Sequence, residues 1–590
     1  MKSYINRFFI GASMLATLGM VSCVGDLDQM PKDSRTLTAD QFAANPQEYI
    51  GGAMGKCYAG IAISGQGGAG GSDISGLDNG RSCWSRAIFM LNEFTTDECN
   101  WIWKDSGVFD LCTSTWGSNN ENIFGTYSRL YCHIAVCNDF IRLIRNAGDY
   151  GIDLNIETTA GTNLAKDAEQ FILEARALRD LSYFYVIDLY GNAAYAWDDQ
   201  LTGQEPPQMT RTELYNAVVA DLEDVLAKWP SDHQVVYGRI GKDAVEALLA
   251  KFYLNAEVWT GTPQWQKCWT ACDNIIKRHQ GGNNGTGLAK DYLSVFCRNN
   301  HMFAPGGSLA DQNEILWNIP YEFRATESYG GTSFLILAAI SDQTIAQPSW
   351  YGISGQWTCM HARPEFSNLF TFTGGISPDN RTYLWITDTD GHNIGNADFS
   401  TYSDGYVPVK FTNVNCNADG TMPRWYDPKS GLPRVGVHDL DNPNNYGVEA
   451  VGSFADTDYP VIRLAEIYLT AAEAAVRSNY SVGDRQTAID YVNYIRNRAN
   501  AVPFTTSDAA SNDSFLANIL DERGRELYWE NCRRTDLVRF GRFAGTNQKV
   551  WAWKNNVETG GDIPAYMNLF PIPSQVINSY SSEYKQNPGY

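Results

Sequence analysis

Two tryptophans at alternate positions, Trp101 and Trp103, close the stretch Thr95-Thr-Asp-Glu-Cys-Asn-Trp-Ile-Trp-Lys104 of this 590-residue chain. Indole faces are flat and apolar, and they suit the C–H face of a ring that carries hydroxyls at its edge. Planar hydrogen-bonding groups such as Asn100 would serve that edge. If the segment is extended, both indoles share a face. The competing arrangement is a strand with both rings in the core; the polar neighbours Asn100, Lys104 and Asp105 favour exposure. A second aromatic group, Tyr329, Trp350, Tyr351 and Trp357, falls in the loop from Tyr321 to Trp357. The competing place for Trp357 is beneath the loop.

Other chemistries find less support. Asp97 and Glu98 adjoin the tryptophan stretch, and glycoside hydrolysis needs two carboxylates roughly 5–10 Å apart. With 67 acidic residues in the chain, however, adjacent acids are common. There is no Gly-x-Ser-x-Gly elbow or His-Glu-x-x-His pair. The Gly65 to Gly71 run lacks the Lys-Ser/Thr of a phosphate loop. A net charge of −22 argues against a nucleic-acid partner. No cofactor is indicated. No EF-hand spacing is present, and a structural calcium is left open.

The elements that must carry these loops are helical. Apolar residues recur at helical spacing over Asn122 to Ala147 and Asn163 to Tyr190, the second stopped by Gly191. Arg211 to Trp229 follows Thr210 as N-cap and precedes Pro230. Lys242 to Trp259 and Gln264 to His279 form a pair around Gly261-Thr-Pro263, and Ile462 to Ser478 and Arg485 to Ala499 form another. Small residues in these pairs (Ala247, Ala250, Ala471, Ala472, Ala474, Ala475) point to tetratricopeptide-like repeats. Residues 281–455 differ, with Gly, Asn and Asp clusters and a short β-run at Glu314 to Ile319. Trp317 alternates there with Ile315 and Ile319 and is assigned to the core. The expected fold is mainly α: a helical-repeat scaffold over 23–280 and 456–590 with a loop- and short-strand-rich insertion at 281–455.

The N-terminus reads as an address. Lys2 and Arg7 precede an apolar run from Phe8 to Val21, about 21 Å as a helix and too short to span a bilayer core of about 30 Å. Residues 1–22 are expected to be a signal peptide, and Met20-Val-Ser-Cys23 resembles a lipobox with Cys23 lipidated; ordinary cleavage nearby is the alternative. The pairs Cys132/Cys137 and Cys268/Cys272 lack the companions of a zinc site and read as small buried hydrophobes.

Several blocks together resemble the SusD/RagB family of outer-membrane nutrient-binding lipoproteins. They are Glu174 to Phe184 with Leu189-Tyr-Gly191, Gly241 to Leu254, Asp458 to Leu469 with Ala472-Glu-Ala474, Val492 to Ala499, Asp521 to Leu527 with Arg533 to Arg539, and the ending Gln586-Asn-Pro-Gly-Tyr590. The resemblance implies a SusD-like scaffold and a non-enzymatic role. The chain would be a cell-surface lipoprotein that captures glycans and passes them to a TonB-dependent SusC-like outer-membrane transporter. It also implies that the Trp101 stretch leads into a ligand-facing loop, that Asp73 and Arg81 are polar contacts, and that ligand aromatics lie near Trp350 and Tyr351. A peptide-binding uptake protein on the same scaffold is the runner-up, and a glycoside hydrolase is remote. Arg463, Glu466, Glu473, Glu522, Arg525 and Glu526 sit in the identifying blocks, where buried ion pairs between helices are the expected role.

Overall fold

A computed structural model describes residues 44–590 apart from 76, 79, 104, 201–202, 232, 234, 282–284, 340–347, 373–376, 384, 386–407, 427–432, 436–453 and 581–582, and apart from the side chains of 349–350, 425–426 and 433–435. Cys23 and the signal segment lie outside the described residues. The structure is mainly α. The principal helices are α1 (Pro46–Ala62), α2 (Trp84–Asn92), α3 (Glu121–Arg145), α4 (Leu164–Leu189), α5 (Arg211–Lys228), α6 (Lys242–Thr260), α7 (Trp265–His279), α8 (Leu464–Arg477), α9 (Arg485–Arg498), α10 (Asn512–Leu527) and α11 (Arg533–Arg539). Four short strands matter to the site: β1 (Cys99–Trp101), β2 (Ile315–Ile319), β3 (Met360–Ala362) and β4 (Tyr459–Arg463). None of the described helices is long and apolar enough to cross a membrane.

The chain divides into two compact units. One joins the described end of Met1–Ala53 to Arg142–Glu169, where Thr158 N–H donates to the Thr162 carbonyl at 2.7 Å. The other holds Met54–Ile141 and Gln170–Tyr590 and contains every candidate binding residue.

Local signals set the helix ends. Thr210 and Glu213 form a reciprocal capping box at the start of α5, which satisfies two otherwise orphaned N–H groups. Gly191, at φ +69°, follows α4, and Gly261, at φ +76°, caps α6; both are left-handed positions that glycine takes without a Cβ penalty. The C-terminal helix is shorter than its periodicity suggests. Tyr459–Arg463 is strand β4, and α8 starts only at Leu464. β4 pairs antiparallel with β2, across a register shift that places Ile315 opposite Arg463. Two of the strands within 281–455, β2 and β3, therefore pair with strands outside it.

The helix α8 is the hub. Every residue from Leu464 to Val476 is buried, and it packs against α6, α7, α9 and α10. Its five alanines let those neighbours approach closely, and helix-on-helix packing of this kind lets each repeat bury its apolar face. Trp317 is core, at 1% exposure.

Charges are buried here too. Arg463 reaches Glu314 at 2.6 Å, Glu526 at 3.1 Å and Glu530 at 2.6 Å. Arg381 reaches Glu522 at 2.7 Å and Asp379 at 2.7 Å. Arg539 joins Glu473 to Asp536, both at 2.7 Å, and Lys251 meets Glu466 at 2.9 Å. Each of these charges meets an opposite one, and losing one partner is costly. The identifying acids are thus scaffold, as their spacing suggests. None of the twelve described cysteines is in a disulfide; Cys132 is only half-buried where a buried site was expected, and Cys137, Cys268 and Cys272 are buried.

Candidate functional site

The turn after α2 shows how the site is built. Thr95 and Thr96 hydroxyls donate to the Leu91 and Glu93 carbonyls, each at 2.7 Å, which stops the helix. Three buried carboxyls then fix the exit. Asp97 accepts from Arg533 at 2.7 and 2.8 Å and pairs with Lys549 at 2.6 Å. Glu93 accepts the Cys532 N–H and Glu98 the Trp529 N–H, both at 3.1 Å. The Glu93 and Glu98 carboxyls face each other. Burial, then Glu98, pushes Glu93 well above the usual carboxylate range. Burial pushes Glu98 to about 7 against the pull of Arg533. Asp97 goes the other way: burial alone would raise it, but Arg533 and Lys549 hold it far below its ordinary value. Asp97 and Glu98, at 0% and 1% exposure, are committed to the scaffold and cannot serve a ligand as acid and base.

Strand β1 follows and pairs antiparallel with β3, Cys99 opposite Ala362 and Trp101 opposite Met360. Ile102 N–H extends the ladder to the Cys359 carbonyl at 2.9 Å. That pairing brings together the two aromatic loops, which are more than two hundred residues apart in sequence. Trp101 and Trp103 meet edge to face at 5.5 Å. Trp101 lies 6.0 Å from Phe334, which lies 6.3 Å from Trp357. Tyr329 lies 6.2 Å from Trp357 and 5.0 Å from Phe454. Arg86, from α2, sits among them, 4.5 Å from the Phe334 ring centre, 5.4 Å from Trp357 and 5.6 Å from Trp101. Its Nη1 donates to the Tyr329 carbonyl at 3.2 Å. Burial lowers its pKa, and the ring faces offset part of that cost.

The surface this leaves is aromatic and partly open. Trp103 is 42% exposed, and Tyr329, Trp357 and Phe454 are half-buried. Trp101 is not a platform. It is 2% exposed, packs on Phe94 at 5.5 Å, and turns its indole N–H to Asp105 at 2.9 Å. The expectation that Trp101 and Trp103 share an exposed face fails because β1 ends at Trp101, so alternation no longer governs Trp103. Asn100 is fully buried opposite His361, so it faces the interior and not solvent. Tyr351 is 3% exposed; its carbonyl holds the Asn413 N–H at 2.8 Å, and it supports the loop from beneath. The Trp350 side chain lies outside the described residues.

The polar candidates separate. Asp73 is exposed, its carboxylate 3.7 Å from Arg129. Arg81 is held by Asp78 at 3.1 Å and Glu121 at 2.8 Å, and it also donates to the Ser106 carbonyl at 3.4 Å, next to the tryptophan loop. Sequence reasoning missed Arg86, Phe334 and Phe454. Nothing in their local pattern marks them, because their role arises only when α2, the 332–339 helix and the segment before β4 converge. Among the described residues, no group of three or more His, Cys, Asp or Glu is placed to hold a metal.

A helical-repeat scaffold carrying a loop-built aromatic surface is the architecture of a binding protein. The SusD family model matches residues 355–590. Over the full length, the chain is 29% identical to the starch-binding protein SusD of Bacteroides thetaiotaomicron, covering 100% of this chain and 99% of that protein. A SusD-like protein of Bacteroides ovatus is 23% identical, over 72% of this chain and 66% of its own. A SusD superfamily structure from Parabacteroides distasonis superposes with a TM-score of 0.63 at 18% identity, covering 94% and 100% of the two chains. A SusD-like carbohydrate-binding protein from Bacteroides fragilis does so with 0.62 at 17%, covering 91% and 99%. The likeness to the starch-binding protein SusD thus runs over the whole chain, and the family model matches its C-terminal part.

Proposed function

We propose that the protein is a cell-surface glycan-binding lipoprotein. It captures oligosaccharides on the aromatic surface of Trp103, Trp357, Tyr329 and Phe454 and delivers them to a TonB-dependent SusC-like outer-membrane transporter. One observation supports this reading: the β1–β3 pair brings the segment of Trp103 beside the segment of Trp357, next to the buried cluster of Trp101, Phe334 and Arg86. Sugar rings stack on such rings, at about 1–3 kcal/mol each by analogy with base stacking. The relative that is a starch-binding protein, and the structure named as carbohydrate-binding, support the ligand class. Lipidation at Cys23 would tether the chain to the outer membrane, since several acyl chains hold where one does not. The transporter enters through the family, in which glycan capture and import are coupled. The role is binding and not catalysis, as the buried Asp97 and Glu98 agree.

The test is native electrophoresis of the mature chain, with Cys23 removed, through gels that each contain one soluble polysaccharide. Wild type runs beside Trp103→Ala, Trp357→Ala and the double variant. Retardation by one polysaccharide, lost in the double variant, supports the reading. Retardation that survives moves the site elsewhere. Free migration in every gel, with binding to a peptide library instead, replaces the glycan with a peptide.

A further inference from the structure

Below the candidate loop, two chain segments far apart in sequence run side by side. Thr412 N–H donates to the Phe296 carbonyl at 3.0 Å and Arg298 N–H to the Val414 carbonyl at 2.9 Å. Asn299 completes the alignment. Its Oδ1 takes both the Cys297 thiol, at 3.1 Å, and the Cys416 N–H, at 2.7 Å, while its Nδ2 donates to the Cys416 carbonyl at 3.2 Å. One amide oxygen thus takes the Cys297 thiol and the Cys416 backbone together, which brings the two cysteines side by side. The same segment holds the loop: Asn413 binds the Tyr351 carbonyl through its N–H at 2.8 Å and the Gly352 carbonyl through Nδ2 at 3.1 Å.

We propose that Cys297 and Cys416 are a thiol pair that closes into a disulfide when the protein meets a disulfide donor, clamping the segment that supports the candidate binding loop. The inference goes beyond the proposed function and does not depend on which ligand the loop takes.

The two sulfurs have different tasks. Cys416 sits between exposed Asn415 and Asn417 and retains 6% exposure, whereas Cys297 is fully buried. The neighbouring Cys297 side chain, and then Asn299, keep the Cys416 thiol below its ordinary value although burial opposes them. Cys416 is therefore the attacking thiolate. It bonds to one sulfur of the donor, breaks the donor's S–S bond and expels a thiolate. Cys297 then attacks the Cys416 sulfur and expels the second donor thiolate. The two protons given up by the cysteines finish on those two thiolates. The protein pair is oxidised, and the donor is reduced to two thiols.

The experiment treats the reduced, purified mature chain with oxidised glutathione. Remaining thiols are then alkylated, and the peptides are mapped by mass spectrometry. The expected result is a Cys297–Cys416 linked peptide, about 2 Da lighter than the two thiol peptides together. The melting temperature should also rise by a few degrees, and dithiothreitol should reverse the rise. Cys297→Ser should instead trap Cys416 as a glutathione adduct, and Cys416→Ser should leave Cys297 a thiol. Alkylation of both cysteines in oxidised wild type overturns the proposal, as does a link from Cys416 to another cysteine. A link that leaves the melting temperature unchanged overturns the clamp.

Discussion

Asp97 and Arg533 are 436 residues apart and share two hydrogen bonds, at 2.7 and 2.8 Å, in a fully buried setting. The strand leading to the aromatic surface is therefore pinned to α11, near the other end of the chain. Lys549 adds a third contact at 2.6 Å.

Asp97→Ala leaves Arg533 buried without its carboxylate. Breaking a buried pair from one side costs about 3–5 kcal/mol. The urea midpoint should fall accordingly, and glycan retardation should weaken even though Asp97 touches no ligand. A midpoint unchanged from wild type would show that the pair does not hold the loop.

The Glu93–Glu98 pair makes stability depend on pH in a definite direction. Glu98 titrates from an ordinary 4.5 up to about 7 in the folded chain, and Glu93 is shifted the same way. The folded state holds these protons more tightly than the unfolded state. The contribution is therefore complete below pH 4.5 and is lost as pH rises through about 7. Glu93→Gln supplies a permanently neutral partner. Melting temperatures read from pH 5 to 8 should fall less steeply in the variant than in wild type; parallel curves would refute the assignment.

Acid should act on a different group. Glu473 is held near 2: burial alone would raise it, but Arg539 and Arg477 outweigh that. Its contribution is present above pH 4.5 and disappears as pH falls toward 2. Glu473→Gln should flatten that acid limb in a melting series, at the cost of lower stability at neutral pH.

The two indoles should separate floor from platform. Trp103→Ala, at an exposed position, should change stability by about 0.5 kcal/mol or less while weakening glycan binding by about 1–3 kcal/mol. Trp101→Ala should cost about 3–5 kcal/mol of stability through the cavity it leaves. Isothermal titration and urea unfolding on both variants check this, and the reverse pattern would exchange the roles.

Gly352 takes φ +71°, and a Cβ there would run into the Asn413 backbone. Gly352→Ala should therefore cost at least about 1–2 kcal/mol from the left-handed conformation alone and displace the turn that follows Trp350. Stability and glycan retardation should fall together; a neutral variant would show that the turn can relax.

Much of the scaffold was legible in sequence because helices report themselves locally. Thr210 and Glu213 announce α5, Gly191 ends α4, and the alanines of α8 declare close packing. The acids of the identifying blocks read correctly as ion pairs, although nothing in the sequence says that Arg463 chooses Glu314 and Glu530. The site was harder. Three-residue strands carry no register, so the pairing of Cys99–Trp101 with Met360–Ala362 cannot be inferred, and without it Trp357 and Trp103 seem unrelated. Alternation suggested one face for Trp101 and Trp103, but that rule lapses where the strand stops between them. Tyr351 reads as a platform only because the family resemblance puts ligand aromatics near it; here its neighbours bury it.

The bond between Asp97 and Arg533 also orders events in time. A nascent chain that has not yet produced residue 533 holds an acid without its Arg533 partner where its aromatic surface should form. The same dependence recurs at the last residue, where the Tyr590 hydroxyl accepts from the Trp116 indole at 3.1 Å. Contacts over such separations form late, because the intervening chain must first be ordered. Binding competence is therefore a certificate of completion: a copy cut short before residue 533 would lack the anchor on which its aromatic surface is built.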